Sequence, residues 1–390
     1  MPKAESKNRT ASPYLRPRAR LLRTLGEELI SNEVVAIVEL VKNSYDADAT
    51  HVLIRFIGPL EPGQGRIEVM DNGHGMDLQT VQTVWMEPAT SSKRGELRRT
   101  GKFKRRFLGE KGIGRFASSR LARELEVISR QEGVKKEVYS VFDWRQFEDD
   151  EKYLDEVLIL WDEREPVDIK PGGTIDLLWR SEEKLPIPTK RSYGTVLRMT
   201  ELKQKWSAKQ FEDLKRGLAR LVSPKATKEE DFEIELDLPP EFSEFDRKVE
   251  PPQILRHPHY LVRGTIKTDG TYKLSCELRA DGVVKEFKGR FVRLRDSKGR
   301  FEVRGIEDGD LPEGSENIAC GPLEVELRVW DRDDLGNVIQ KTHSSVQDVR
   351  RDLDAVAGIN IYRDGFRVLP YGEPLDDSFR LDRRRVQSPT

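Results

Sequence analysis

Three short stretches of the 390-residue chain combine residue types that can do chemistry. In the first, Glu39–Thr50, a carboxylate, an amide and a second carboxylate stand at i, i+4 and i+7, so a helix would carry Glu39, Asn43 and Asp46 on one face. A carboxylate base and an amide ligand one turn apart could orient a water and a hard cation from one rigid element. A solvated polar face would look the same. In the second, Ile67–Met76, an apolar strand ends in Asp71, and Gly73 and Gly75 follow at two-residue spacing. Glycine lets the backbone turn with positive φ and lets a ligand come close; an ordinary Asn-Gly hairpin turn shares this pattern. In the third, Gly109, Lys111, Gly112, Ile113 and Gly114 open onto an apolar stretch that begins with Phe116 and Ala117. Glycine-exposed amides at a helix start make an anion cradle.

Two look-alikes fail on context. Gly112-x-Gly114-x-x-Ala117 has dinucleotide-fingerprint spacing but follows a basic stretch where an apolar strand is required. Gly95 to Gly101-Lys102 has five intervening residues where a P-loop has four, and Phe103 follows the lysine.

The elements that must hold these clusters follow from periodicity. Val34, Ile37, Val38 and Val41 form an apolar stripe, which predicts a helix from about Leu25 to Tyr45 with Glu39, Asn43 and Asp46 on the opposite side. Strands are predicted at Thr50–Ile57, Arg66–Met70, Leu125–Ser129, Glu137–Asp143, Gly173–Arg180, Gly194–Thr200 and Phe232–Leu238. Helices are predicted at Gly109–Leu125 and at Ser207–Leu221, the latter capped by Ser207 and closed before Pro224. Between Lys93 and Arg106 lie eight basic side chains against the single acid Glu96, which reads as a long loop. Prolines and charges at 240–252 mark a boundary. Beyond it, Tyr260–Ile266, Tyr272–Leu278, Lys285–Leu294 and Leu323–Trp330 alternate as an antiparallel meander, followed by a helix at Ser344–Ala357 and a hairpin through Arg363-Asp364-Gly365.

Taken together and in order, the three clusters resemble the motifs of the GHKL ATPases, the superfamily of gyrase B, the large heat-shock chaperones, histidine kinases and MutL. Glu39-x-x-x-Asn43-x-x-Asp46-Ala is similar to the N box, Asp71-x-Gly73-x-Gly75 to the first glycine box and Gly109-x-x-Gly112-x-Gly114 to the second. Glu39–Thr50 is especially similar to MutL, and Gly194-Thr195 resembles the last motif. The resemblance implies an α+β fold, with a Bergerat-type α/β sandwich over about 21–240. It further implies an S5-like transducer domain over 241–390, with MORC-like features in its closing strand pair and a C-terminus expected to be incomplete. It implies ATP and Mg²⁺ as ligands. Glu39 would be the general base. Asn43 would hold Mg²⁺, with Asp46 beside it. Asp71 would accept from the adenine amino group. Gly73, Gly75 and Met76 would line the base and ribose. Gly109, Lys111, Gly112, Ile113 and Gly114 would meet the phosphates, and Thr195 would support the adenine-side network. Residues 88–108 would be the ATP lid. No residue is assigned as the γ-phosphate sensor, for which Arg367 is a poor candidate.

Composition narrows the remaining choices. Basic and acidic residues number 68 and 69, so the formal charge is −1, which excludes a wholly basic nucleic-acid coat but not local patches. The longest apolar runs, such as Val34–Val38, are five residues, far short of the ~20 that cross a bilayer, and the basic N-terminus lacks a signal-peptide core. Two cysteines fit a reducing cytoplasm. His257, His259, Cys276 and Cys320 match no zinc spacing. The resulting expectation is an ATP-driven switch that dimerises, with an arm over residues 1–20 open to exchange between protomers. The lid or the arm offers cations to DNA phosphates, and repair or phage defence is the expected setting. A non-hydrolysing ATP sensor competes. A histidine kinase competes less well, because no phospho-acceptor helix precedes the motifs.

Overall fold

A computed structural model describes residues 16–22, 24, 30–85, 99–105, 107–108, 114–179, 192–223, 232–278, 282–295, 301–307, 310–318, 322–342, 345–363 and 366–368. The chain divides into two compact units, one drawn from Met1–Glu250 with Asn360–Asp376, the other from Pro251–Ile359 with Asp377–Thr390. The division falls ten residues beyond the expected 240/241 boundary. Val249 donates to the Ile234 carbonyl at 2.7 Å, so the chain stays tied to the first sheet until that point. The hairpin Ile361–Arg363 and Phe366–Val368, expected in the second domain, belongs to the first unit, where the Arg367 N–H donates to Leu221 O at 2.9 Å.

The first unit is built on an eight-stranded sheet of β1 (His51–Ile57), β2 (Arg66–Asp71), β3 (Ala122–Arg130), β4 (Glu137–Asp143), β5 (Leu160–Arg164), β6 (Gly194–Leu202), β7 (Glu233–Asp237) and β8 (Arg247–Lys248), in the order β5-β4-β3-β6-β2-β1-β7-β8. Neighbours are antiparallel except β1 and β7. Alternation assigns the two faces. Val52, Ile54, Ile67, Val69, Leu125, Val127, Leu197 and Met199 pack in one core with the helices α1 (Glu33–Asp46), α2 (Ser118–Leu121) and α3 (Ala208–Ala219). Leu53, Met70, Ile128 and Val196 point the other way, against Ile169, Ile175 and Leu178.

Helix α1 starts at Glu33, not Leu25, because the Asn32 side chain caps it by accepting the Val35 N–H at 2.9 Å. Its most buried positions are Ala36, Ile37, Leu40, Val41 and Tyr45. Val34 and Val38 are instead half-buried, at the seam with α3 where Gly217 leaves room for them. The expected strand at Gly173–Arg180 is a 3-10 turn over Thr174–Trp179, whose Ile175 and Leu178, three residues apart, both plug into the second core. The expected helix Gly109–Leu125 is reduced, among the described residues, to a 3-10 turn at Gly114–Ala117 and α2, because β3 begins at Ala122.

Charge is also organised by face. On the side away from the helices Arg198 donates to Glu68, Glu126 and Asp168 at 2.9, 2.7 and 2.8 Å. Arg164 pairs with Glu137 and Asp168, and the fully buried Glu137 accepts the Asp168 and Ile169 N–H groups. The segment around 164–176 is thereby held to the sheet. Desolvation works against ionisation of Asp168, but hydrogen bonds from Thr174 and Arg198 and the nearby guanidinium charges hold its carboxyl below the ordinary range.

In the second unit β9 (Tyr260–Ile266), β10 (Thr271–Leu278), β11 (Val283–Arg295), β12 (Phe301–Glu307), β13 (Glu316–Asn317) and β14 (Leu323–Val329) form an antiparallel sheet in which β12-β11-β10-β9-β14 are successive neighbours. Strands β12 and β13 add to the expected meander. Helices α4 (Gly336–Thr342) and α5 (Val346–Val356) share a small core of Ile254, Leu335, Val338, Val349 and Leu353. The His259 ring is engaged by the Asp331 N–H at 2.9 Å, and Cys320 lies outside the described residues. No helix among the described residues is long and apolar enough to cross a membrane.

Candidate active site

Three adjacent strands put a polar row at one end of the first sheet. Asp71 on β2 pairs in register with Thr195 on β6, and Thr195 with Ser129 on β3. Each lies two residues beyond a helix-side core residue (Val69, Leu197 and Val127), so all three face the helices. Asp71 is almost fully buried. Its Oδ2 accepts from Ser44 Oγ on α1 at 2.9 Å, and its Oδ1 accepts from the Gly73 N–H at 2.9 Å. Burial pushes its carboxyl up from the ordinary value of 3.8, opposed by those two hydrogen bonds and by His74. Ser129 Oγ donates to Gly194 O at 3.0 Å, accepts the Met76 N–H at 2.8 Å and lies 2.8 Å from Thr195 Oγ1. Its single proton is spent on the Gly194 carbonyl, so the Thr195 hydroxyl donates to it.

The glycines after Asp71 relieve contacts within the chain. A Cβ on Gly73 would stand 2.6 Å from Ala47 O and 2.9 Å from Asp71 Oδ1. One on Gly75, where φ is +67°, would stand 1.9 Å from Arg130 O. Asn72 makes the same junction polar: its Oδ1 accepts the Thr50 and His51 N–H groups at 2.8 and 2.9 Å. The close approaches therefore fit β2 to the α1–β1 corner and to the end of β3.

The other end of the site lies along α1. Glu39 Oε1 accepts from Lys42 Nζ at 2.7 Å. A Cβ on Gly114 would lie 3.2 Å from Glu39 Oε2 and 3.7 Å from Asn43 Nδ2. The acid and amide of the first cluster thus face the last glycine of the third. Gly109, Lys111, Gly112 and Ile113 lie outside the described residues.

Asp46 is turned to a different task. Its Oδ1 accepts the Leu108 N–H at 2.8 Å, and Asp48, in left-handed conformation at φ 59°, accepts the Lys102 and Phe103 N–H groups at 2.7 and 3.3 Å. Arg105, counted from the sequence among the lid cations, is 1% exposed. It donates to Ala49 O at 2.5 Å, and its guanidinium lies over the rings of Tyr45 and Phe103, 4.6 Å from each centroid. Of the expected lid, residues 99–105 and 107–108 are described, and this part is fastened to the α1–β1 corner. The described end of the arm packs on its own unit: Arg16 pairs with Asp155, Arg20 with Asp150, and Ala19 is fully buried. Ser44 and Ser129 complete the site and were not foreseen, since a lone serine carries no periodic signal.

A buried acid at a strand end, a hydroxyl row beside it, and an acid–amide pair set against a glycine turn thus lie between the sheet and its helices. Residues 30–170, about a third of the chain, match the family described as histidine kinase-, DNA gyrase B-, and HSP90-like ATPase. Among curated relatives, a candidate type II restriction enzyme, HgiDII, of Herpetosiphon aurantiacus is 33% identical over 113 residues, covering 29% of this chain and 17% of the relative. The DNA mismatch repair protein MutL of Nostoc punctiforme is 36% identical over 103 residues (26% and 17%), and that of Chlamydia abortus 39% over 83 residues (20% and 14%). The matched stretches span about a sixth of these relatives' lengths.

Proposed function

We propose that the chain binds and hydrolyses ATP with Mg²⁺ and works as a dimerising conformational switch in a DNA-related process. The observation that carries the reading is the meeting of Glu39 and Asn43 with Gly114 at one end of a site whose other end is the buried Asp71. Each Asp71 oxygen has one protein donor, and a carboxylate offers about four lone-pair sites. It retains capacity to accept from the exocyclic amine of adenine, whereas guanine would present a carbonyl there. At the other end Glu39 can take a proton from water, and the absent side chain of Gly114 leaves space beside it. The Asn43 side-chain oxygen is a hard ligand that fits Mg²⁺, an ion that needs few protein ligands. When bound, Mg²⁺ would neutralise phosphate charge during transfer to water.

The DNA setting is supported by the names of the MutL and restriction-enzyme relatives, and dimerisation by the resemblance to the ATPase family. The test measures ATP affinity and turnover of the wild type and Glu39→Ala with Mg²⁺, across protein concentration, with and without DNA. The reading expects turnover that rises with protein concentration and with DNA, and a variant that binds ATP without hydrolysing it. ATP bound but never hydrolysed by the wild type would leave a sensor. No ATP binding by the wild type would remove the nucleotide reading altogether.

A further inference from the structure

Lys42 is the one basic residue within α1, and it is buried, 9% exposed, on a helix whose neighbouring Leu40 and Val41 lie in the core. Burying a lysine side chain costs conformational entropy and hydration. An exposed i,i+3 pair would recover only a few tenths of a kcal/mol. The geometry shows what the ammonium does. Its Nζ donates to Glu39 Oε1 at 2.7 Å, while Oε2 is the oxygen nearest Gly114, at 3.2 Å from the position of an added Cβ. One oxygen is tethered and the other faces the glycine turn.

We propose that Lys42 is a positioning residue for the hydrolytic step: it holds the Glu39 carboxylate by Oε1, so that Oε2 alone addresses the attacking water. The inference rests on the reading of Glu39 as the base. Glutamate has three side-chain torsions, and without a tether its carboxylate samples orientations in which neither oxygen meets the water. Misplacing a base by about 1 Å costs up to ~100-fold in rate. Lys42 itself touches neither water nor phosphate in this scheme, so its loss acts on kcat and leaves nucleotide affinity alone.

The experiment uses the whole chain and four variants: Lys42→Met, Lys42→Arg, Glu39→Gln and the Lys42→Met/Glu39→Gln double. Lys42→Met keeps the length of the side chain and removes the donor; the expected result is a ~10–100-fold fall in kcat with KM and directly measured ATP affinity within ~2-fold. Lys42→Arg, which restores a donor, recovers most of the rate. The double variant is no slower than Glu39→Gln, because both changes act through one carboxylate. An unchanged kcat in Lys42→Met overturns the proposal. So does a weakened ATP affinity at unchanged kcat, which would make Lys42 a phosphate contact, and so does failure of Lys42→Arg to restore the rate. If Lys42→Met does not fold, Lys42→Arg and Glu39→Gln decide the matter: a folded Lys42→Arg with wild-type kcat supports the tether, and a folded but inactive one overturns it. Full turnover by Glu39→Gln would overturn the base assignment itself, a result distinguishable from any failure confined to Lys42.

Discussion

At Asp71 the site is finished before any ligand arrives, whereas at Glu39 it is only half furnished. Asp71 sits on the rigid sheet, is buried, and has a donor on each oxygen from α1 and from its own turn. Glu39 stands on a helix face, 28% exposed at its side chain, with one oxygen held by Lys42 and the other turned to Gly114. The first arrangement suits selection, because a pre-formed acceptor in a low-dielectric pocket rewards the matching donor and penalises a mismatched one. The second suits a reaction whose charge must be neutralised only once phosphate and metal are present. On the proposed reading of the site, preorganisation is therefore concentrated at the nucleobase end.

The largest expected effect tests how far the base end depends on its backbone fit. Gly75→Ala adds a methyl 1.9 Å from Arg130 O at a left-handed position, and should cost about 3 kcal/mol or more of stability, read as a fall in the urea midpoint. Next, Asp71→Asn should weaken ATP binding ~10–100-fold, as loss of a hydrogen bond to a charged acceptor predicts, measured by calorimetry. The same variant separates stability from function. Because burial raises the Asp71 carboxyl, its protonated form favours folding: that contribution is complete below the ordinary 3.8 and is lost as pH climbs through the raised value. Asp71→Asn should accordingly match or exceed the wild-type Tm at pH 8 and lose that advantage toward pH 4.

At the phosphate end, Gly114→Ala places a methyl 3.2 Å from Glu39 Oε2 and should slow turnover ~10-fold while barely moving Tm or ATP affinity. The smallest effect belongs to Ser44→Ala, which removes one donor from Asp71 Oδ2 and should weaken ATP binding ~3–10-fold in the same assay. If Gly114→Ala proved as destabilising as Gly75→Ala, the contrast between the two ends would disappear.

Much of the base end was legible because a charged residue closing an apolar strand, followed by paired glycines, is a local pattern. Thr195 entered through the resemblance, but Ser129 did not: it lies 66 positions away and meets Thr195 only because β3 and β6 pair in that register. Helix α1 was readable from its valine stripe, but Val34 and Val38 went to the α3 seam, which depends on Gly217 far downstream. The 3-10 turn Thr174–Trp179 departs from the predicted strand because Ile175 and Leu178, three residues apart, both join the core of Leu53 and Val196. Basic residues near 99–105 looked equivalent in the sequence. Burial beneath the Tyr45 ring and the hydrogen bond to Ala49 O set Arg105 apart from Arg99, Lys102 and Lys104.

That burial of Arg105 bears on how binding should respond to ionic strength. Arg99, Lys102 and Lys104 are exposed and can each displace a counterion from a polyanion, while Arg105 cannot. If nucleic acid is held by this segment, each of the three exposed cations should contribute about 0.7–0.9 to the logarithmic salt slope. Removing Arg105 should leave that slope unchanged and instead loosen the attachment of the segment to the corner after α1. Among the four described cations of this basic cluster one side chain is thus an anchor, and counting charges along the sequence overstates their grip on phosphate by one.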